Sequence, residues 1–271
     1  MTYRVLSAEL LLAAGATAGP VLGLETGGAI ASGGLVSNGR IVASISREAK
    51  SHGAGLPALV AELLEAAGLK FRDLSAVAIG VGPGSFTGLR VGLSYAKGLV
   101  AGANIRIVGI SSLDAIGLCG AESPRALQGV KICPILDARK GEVYTSLYEV
   151  VPDALEKVSD DLVVPLDEFA SRIAGEVLFV GDSKAADGVA YVVQTGGRAS
   201  VVGAAEFNRR GCFVAALGAA RVARNDVDEV ATLEPLYVRA PEATVKSTAV
   251  DRREVTHGTS RGRVDPAACG S

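Results

Sequence analysis

The fold is decided by residues 21–46, VLGLETGGAIASGGLVSNGRIVASIS. This stretch contains three apolar segments that predict strands, at 21–24, 29–36 and 41–46. The turn Ser-Asn-Gly at 37–39 is typical of a β-hairpin between the last two. Because short turns can join only antiparallel neighbours, the three strands are predicted to form an antiparallel meander.

After the meander the apolar pattern takes a helical period. Apolar residues of the segment 56–67 recur every three or four positions, and Gly68 is placed to end that helix. Predicted strands and helices then alternate at 77–81, 87–101, 105–109 and 112–118. Three strands followed by alternating helices and strands are the plan of the ribonuclease H-like fold, which actin and the sugar-kinase ATPases carry twice.

A weaker second copy of this pattern follows the Ser-Pro pair at 123–124. Its predicted strands are 132–136, 142–148, 162–164 and 177–181, and its predicted helices are 167–174 and 207–224. We therefore predict an α/β protein with two ribonuclease H-like, actin-like (ASKHA) lobes, each a mixed sheet flanked by helices.

The chain is predicted to divide into four parts. They are an N-terminal extension at 1–20, a first lobe at 21–115, a second lobe at 116–240 and a disordered tail at 241–271. The tail has only valines as large apolar residues, so it buries too little surface to offset the entropy of ordering it.

Charge and composition restrict the function. Lysine and arginine number 27 against 29 acidic residues, a net charge of −2, and there are six phenylalanines, six tyrosines and no tryptophan. A protein that grips nucleic acid by itself needs a basic surplus or a platform of aromatic rings, so any tRNA contact is expected only through a complex.

Cellular location is predicted from the cysteines and the N-terminus. The four cysteines form no CxxC pair, which favours a reducing, cytoplasmic compartment. The apolar stretch 5–18 resembles a signal peptide, with Ala-Thr-Ala at 16–18 as a cleavage site, but Glu9 interrupts it. The other interpretation is a short N-terminal extension. No apolar run is long enough to span a membrane.

The segment 80–92, GVGPGSFTGLRVG, is a glycine-rich turn from a strand into a helix. Such turns bind phosphate in many proteins, but neither the P-loop nor the dinucleotide pattern is present. One interpretation is that the glycines shape the turn and allow close helix packing. The other is a degenerate phosphate site made by Gly82, Gly84, Ser85 and Thr87.

The two helices of the first lobe are predicted to bind a partner. On the helix 87–101 an apolar stripe faces the sheet, while Gly88, Gly92 and Tyr95 lie on another side and leave room for a second helix. The alanines of the helix 56–67 extend this surface. The candidate partner-binding residues are Leu56, Ala58, Leu59, Ala61, Leu63, Gly88, Gly92 and Tyr95.

Three motifs together resemble the bacterial TsaB (YeaZ) family. They are GPGSFTGLRVG at 82–92, LDARKGEVY at 136–144 and PLYVR at 235–239. The resemblance covers about residues 21–240. It implies a non-catalytic scaffold that binds TsaD through the first-lobe helices. It also implies that the pair works with the ATPase TsaE in adding a threonylcarbamoyl group to the tRNA adenosine next to the anticodon. A homodimer is an alternative when TsaD is absent.

Two departures concern catalysis. The family usually has an aspartate at the end of its first strand, where this chain has Glu25. TsaD relatives hold a metal with two histidines four residues apart, whereas His52 is followed by Leu56 at that spacing. We therefore expect no catalytic residue, no metal and no cofactor, with ATP bound only weakly or at a complex interface. The alternative function is an actin-like, nucleotide-dependent phosphotransferase that uses Thr26 and the loop 82–88.

Overall fold

A computed structural model describes most of the chain. The described residues are 3–6, 8–48, 55–171, 173–182, 184–194 and 196–238. His52 and the predicted disordered tail at 241–271 lie outside them.

Thirteen strands and eight α-helices are described. The strands are β1 (Tyr3–Leu6), β2 (Val21–Glu25), β3 (Ile30–Ser37), β4 (Arg40–Glu48), β5 (Ala76–Gly82), β6 (Arg106–Ser111), β7 (Lys131–Arg139), β8 (Glu142–Thr145), β9 (Tyr148–Val151), β10 (Ala154–Lys157), β11 (Leu162–Pro165), β12 (Glu176–Gly181) and β13 (Arg198–Val201). The helices are α1 (Ala8–Ala14), α2 (Leu56–Ala66), α3 (Phe86–Val100), α4 (Ser112–Ala121), α5 (Leu166–Ser171), α6 (Lys184–Gln194), α7 (Ala204–Phe207) and α8 (Arg210–Ala223).

The first sheet has the order β4-β3-β2-β5-β6. Its first three strands form the predicted antiparallel meander, and β2, β5 and β6 run parallel. The second sheet contains β1-β10-β9-β7-β12-β13, with β8 and β11 attached beside β7. In it β7, β12 and β13 are parallel and the remaining pairs antiparallel. Both sheets are mixed, as predicted.

The helices form three layers around the two sheets. On the outer side of the first sheet, α2 and α3 enclose one apolar core. On the outer side of the second sheet, α5 and α6 enclose another. Between the sheets, α4 and α8 bury residues of both, such as Val21 and Ala78 from the first and Ile132 and Val180 from the second. The α/β class with two mixed sheets flanked by helices is therefore confirmed.

Helix α8 packs directly on the backbone of β2 and β3, although it follows the second sheet in the chain. A Cβ added at Gly34 would lie 2.6 Å from Cys212 Cα, and one added at Gly211 would lie 2.6 Å from Gly33 Cα. Ser32 completes the contact, because its hydroxyl donates to the Asn208 carbonyl at 2.6 Å and accepts from the Gly211 amide at 3.0 Å. Glycine here allows a helix and a sheet to approach backbone to backbone.

A buried ion cluster holds the β9–β10 hairpin against α4. The Lys157 ammonium is 3.2 Å from an oxygen of Asp114 and 2.6 Å from one of Asp161, and its side chain is only 5% exposed. The Tyr148 hydroxyl donates to the same Asp114 carboxylate at 2.6 Å. Pairing of this kind offsets the cost of burying a charge.

The structure differs from the predicted elements in three places. The predicted strand 142–148 is two strands, because the Leu147 amide between them bonds to the Ser159 hydroxyl and not to a neighbouring strand. The short elements β10, α6 and β13 lack a clear predicted counterpart. Residues 3–18, predicted to lie outside both lobes, add β1 to the second sheet and pack α1 on α8. Helix α8, which the prediction assigns to the second lobe, also packs on strands of the first sheet.

Candidate functional site

The predicted partner-binding residues of α2 divide into a buried and an exposed set. Leu56, Leu59 and Leu63 are at most 4% exposed, and Leu59 and Leu63 belong to the apolar core on the outer side of the first sheet. Ala58 and Ala61 are exposed on the opposite side. Only the alanines are therefore placed to touch a partner, and the leucines support the helix from beneath.

The sequence predicts that two glycines of α3 leave room for a second helix, but the structure shows a different neighbour. Gly88 and Gly92 are buried, and the group that approaches them is the chain's own Thr26. A Cβ added at Gly92 would lie 3.0 Å from two carbons of Thr26 and would overlap its hydroxyl oxygen. That hydroxyl donates to the Gly88 carbonyl at 2.9 Å. The space beside these glycines is thus occupied by Thr26 of the same chain. Tyr95, the third predicted residue of α3, is partly exposed.

The accessible surface of α2 and α3 consists mainly of small and charged side chains, with one exposed aromatic ring, that of Phe86. Its exposed members are Pro57, Ala58, Ala61, Glu62, Glu65 and Ala66 on α2, and Phe86, Thr87, Arg90, Ser94 and Gly98 on α3. The charges are segregated, with glutamates on α2 and Arg90 on α3. Glu62 bonds to Arg47 of the adjacent strand β4. We call this surface the α2–α3 face.

One cluster on the α2–α3 face is absent from the predicted site residues. The Arg90 guanidinium stacks over the Phe86 ring at 3.9 Å and its Nε donates to the Tyr237 hydroxyl at 3.1 Å. The Phe86 and Tyr237 rings are 5.5 Å apart. The Leu236 amide donates to the Val81 carbonyl at 2.7 Å, which fastens the 235–238 segment beside β5. The PLYVR motif was the sequence signal for this arrangement.

The glycine-rich loop 82–88 is closed against the turn that follows β2. The Ser85 amide donates to the Gly27 carbonyl at 2.7 Å, and a Cβ added at Gly84 would lie 3.0 Å from Gly27 Cα. Ser85 also caps α3 by accepting from the Gly88 amide at 3.3 Å. Thr87 is exposed, while Gly82 is buried. The loop is therefore in direct backbone contact with the turn after β2.

A second group of polar residues lies where the end of β2 and the turn after it meet the start of α8, and we call this region the cleft. Glu25 is 1% exposed; its Oε1 accepts from the Gly27 amide at 2.7 Å, and its Oε2 has no hydrogen-bond partner among the described residues. Arg210 is also 1% exposed, and its Nη2 donates to the Ile30 carbonyl at 2.7 Å. Its Nε lacks a described partner.

One acidic residue of the second sheet also affects the pKa of Arg210. Asp182 follows β12, and its Oδ2 accepts from the Asp137 amide at 2.8 Å. Burial lowers the pKa of the Arg210 guanidinium, and the charges of Glu25, Cys119 and Asp182 offset part of that shift.

The alternative function, a phosphotransferase that uses Thr26 and the loop 82–88, would need a magnesium-nucleotide here, and the contacts of these residues do not fit one. Within the described ranges no three histidine, cysteine or acidic side chains are grouped so as to hold a metal ion. The cleft instead contains a buried arginine next to Glu25, and the loop 82–88 is packed on the β2 turn. No reaction step through a metal or nucleotide follows from this arrangement.

No helix among the described residues is long and apolar enough to cross a membrane.

Comparison with known proteins gives a consistent set of relatives. A family model described as TsaD, tRNA N6-adenosine threonylcarbamoyltransferase, matches residues 42–231. The tRNA threonylcarbamoyladenosine biosynthesis protein TsaB of Bacillus subtilis is 33% identical over 200 residues, which are 73% of this chain and 83% of that protein. The TsaB protein of Escherichia coli is 33% identical over 129 residues, 48% of this chain and 54% of that protein.

A solved structure supports the same relationship. A Pseudomonas aeruginosa protein described as similar to peptidase YeaZ superposes with a TM-score of 0.65 at 25% identity. The superposition covers 82% of this chain and 100% of that one.

Proposed function

Because this chain belongs to the TsaB (YeaZ) family, we propose that it acts in tRNA threonylcarbamoyladenosine biosynthesis as a non-catalytic subunit that binds and supports TsaD. The observation that carries this proposal is the 33% identity to a TsaB protein over 83% of that protein's length. The non-catalytic part is supported by the loop 82–88, which packs on the turn after β2, and by the buried Arg210 that lies against the same turn. The phosphotransferase alternative, which needs such a site, is not favoured.

The proposed docking surface for TsaD is the α2–α3 face. Ala58 and Ala61 present small side chains beside exposed charges, so a partner helix can approach closely there. The buried leucines and glycines act indirectly, by holding α2 and α3 in place. Binding of TsaE and of tRNA is proposed to occur only in the assembled complex, in the cytoplasm. A homodimer through the same face is the proposed alternative when TsaD is absent.

The interface is tested by replacing Ala61 with arginine. The long charged side chain should weaken binding to TsaD from the same organism by about tenfold or more, measured by calorimetric titration. The matched control is Ala205→Arg, at an exposed position of α7. This helix packs on α4 and β12 and not on α2. Unchanged affinity of the Ala61→Arg protein, with an unaltered melting temperature, would place the TsaD contact elsewhere.

The non-catalytic role is tested by reconstitution. The purified chain alone should modify no tRNA, and TsaD with TsaE should lose tRNA modification when this chain is omitted. Titration of the isolated chain with ATP and magnesium should give no micromolar binding, because the cleft offers no fitting site. Micromolar binding would favour the phosphotransferase instead.

A further inference from the structure

The chain after α8 runs along α3 as a strap. Residues 226–238, which we call the strap, form neither a helix nor a strand. The Lys97 ammonium of α3 donates to the Ala231 carbonyl of the strap at 3.5 Å, and Arg90, two turns earlier in α3, bonds to Tyr237 at the end of the strap. The strap and α3 therefore lie side by side and run in opposite directions.

Backbone hydrogen bonds fix the strap to the first sheet. The Asp228 amide donates to the Ile107 carbonyl at 3.0 Å, and the Leu236 amide donates to the Val81 carbonyl at 2.7 Å. Between these two points Leu233 packs against the outer core of the first sheet. Because it is held at three places, the end of the strap has a defined position beside α3.

The contacts of Arg90 hold its guanidinium without using the terminal nitrogens. Nε donates to the Tyr237 hydroxyl at 3.1 Å, and Cζ lies 3.9 Å from the centre of the Phe86 ring. Nη1 and Nη2 bond to no other residue in the part of the chain that the structure describes. A guanidinium presents planar N–H donors that match the two oxygens of a carboxylate. Since this one is already oriented, little side-chain entropy is lost when it binds.

The surroundings of Arg90 favour a protein as the partner. Phe86, on which the guanidinium stacks, is 42% exposed, and Leu236, which precedes Tyr237 in the strap, is 44% exposed. Arginine and aromatic side chains contribute most to protein–protein binding. The chain has a net charge of −2, and Glu65 is exposed on the neighbouring helix α2. Negative charge of this kind opposes the phosphates of an RNA and not a single acidic side chain beside the guanidinium.

We propose that Arg90, held by Phe86 and Tyr237, is a preorganised receptor for a carboxylate of TsaD, and that the strap is a third element of the docking surface beside α2 and α3. The partner segment that fits this receptor presents an aspartate or glutamate next to an apolar side chain, which covers Phe86 and Leu236. This inference rests on the proposed function and adds to it the chemistry that TsaD presents at the contact.

The test is calorimetric titration of the full chain with TsaD from the same organism. Arg90→Gln should weaken binding by about tenfold or more, because the carboxylate of TsaD is then left without its charged partner. Arg90→Lys should weaken binding by about fivefold or more, since an ammonium keeps the charge but not the planar pair of donors. The matched control is Arg125→Gln, which changes an exposed arginine in the loop after α4 and should bind as the wild type does.

The positioning role of Tyr237 is tested by a double-mutant cycle. Tyr237→Phe keeps the aromatic ring and removes the hydroxyl that holds Nε of Arg90, so affinity should fall by about two- to fivefold. In an Arg90→Gln protein the same replacement should cause no further loss, because Tyr237 acts through Arg90. Additive losses would show that Tyr237 does not act by orienting the guanidinium.

The outcomes separate this inference from the proposed function. If TsaD binds the wild type and the Arg90→Gln protein equally well, the receptor does not exist, while the proposed function stands. If Arg90→Gln leaves TsaD binding unchanged but weakens tRNA binding by the assembled complex, the guanidinium contacts phosphate and the inference is again overturned. If TsaD does not bind the wild type, the proposed function fails and the inference fails with it.

Discussion

Replacing Gly92 by alanine should destabilise the protein, whereas the same replacement at Gly98 of the same helix should stabilise it. Alanine is favoured over glycine inside a helix by about 1 kcal/mol, and this term applies at both positions. A Cβ at Gly98 meets nothing within 4 Å, so the full gain is expected there. At Gly92 the new methyl group meets Thr26, with two of its carbons 3.0 Å away.

The magnitude at Gly92 follows from what Thr26 must give up. Overpacking of a buried site costs about 1–3 kcal/mol. Moving the Thr26 hydroxyl also breaks its 2.9 Å hydrogen bond to the Gly88 carbonyl, which is worth about 0.5–1.5 kcal/mol. When the gain of about 1 kcal/mol in helix propensity is subtracted from these two costs, Gly92→Ala should lower the free energy of unfolding by about 0.5–3.5 kcal/mol.

Urea unfolding followed by circular dichroism measures both variants on one scale. The double variant Thr26→Ala with Gly92→Ala should recover part of the loss, since the hydroxyl and methyl groups of Thr26 are then gone and only its Cβ, 3.0 Å away, still meets the new methyl group. If Gly92→Ala is as stabilising as Gly98→Ala, the close contact with Thr26 does not exist. The glycine would then be free to meet a partner, as the sequence alone suggested.

Three further outcomes are expected. Gly211→Ala should destabilise by more than Gly92→Ala in the same urea assay, because its Cβ would meet backbone and no side chain can move aside. Tyr148→Phe should lower the free energy of unfolding by about 1–3 kcal/mol, since the charged Asp114 loses a 2.6 Å hydrogen bond. Burial raises the pKa of Cys133 to about 12, so about one thiol in a thousand is ionised at pH 9. In a Cys269→Ser protein, raising the pH from 7 to 9 should therefore not produce a fast thiol reaction with Ellman's reagent until urea unfolds the chain.

The first sheet and its outer helices could be predicted from local patterns. Alternating apolar segments with a Ser-Asn-Gly turn define the meander, and a three-to-four residue period defines α2 to within one residue at its end. These signals lie within one element or between neighbours in the chain. Secondary structure and fold class depend mainly on such short-range sequence patterns.

The contacts that shape the candidate site depend on residues far apart in the chain, and no local pattern identifies them. Gly92 indicates a close neighbour, but sequence cannot tell whether that neighbour is Thr26 or another protein. Arg210 resembles an ordinary surface charge at the start of a helix until α8 is seen between two sheets. The exposed α2–α3 face remains a predicted interface, with Ala58 and Ala61 as its accessible members.

The crossing of α8 onto the first sheet has a consequence for how the chain is made. The strands β2 and β3 leave the ribosome early, yet the helix that covers their glycine-rich inner surface ends at Ala223. During synthesis this surface is exposed until almost all the described residues have emerged. The first sheet therefore cannot complete its packing until α8 has been translated, and a fragment ending at residue 115 should remain dependent on the missing helix or on a chaperone that covers the same strands.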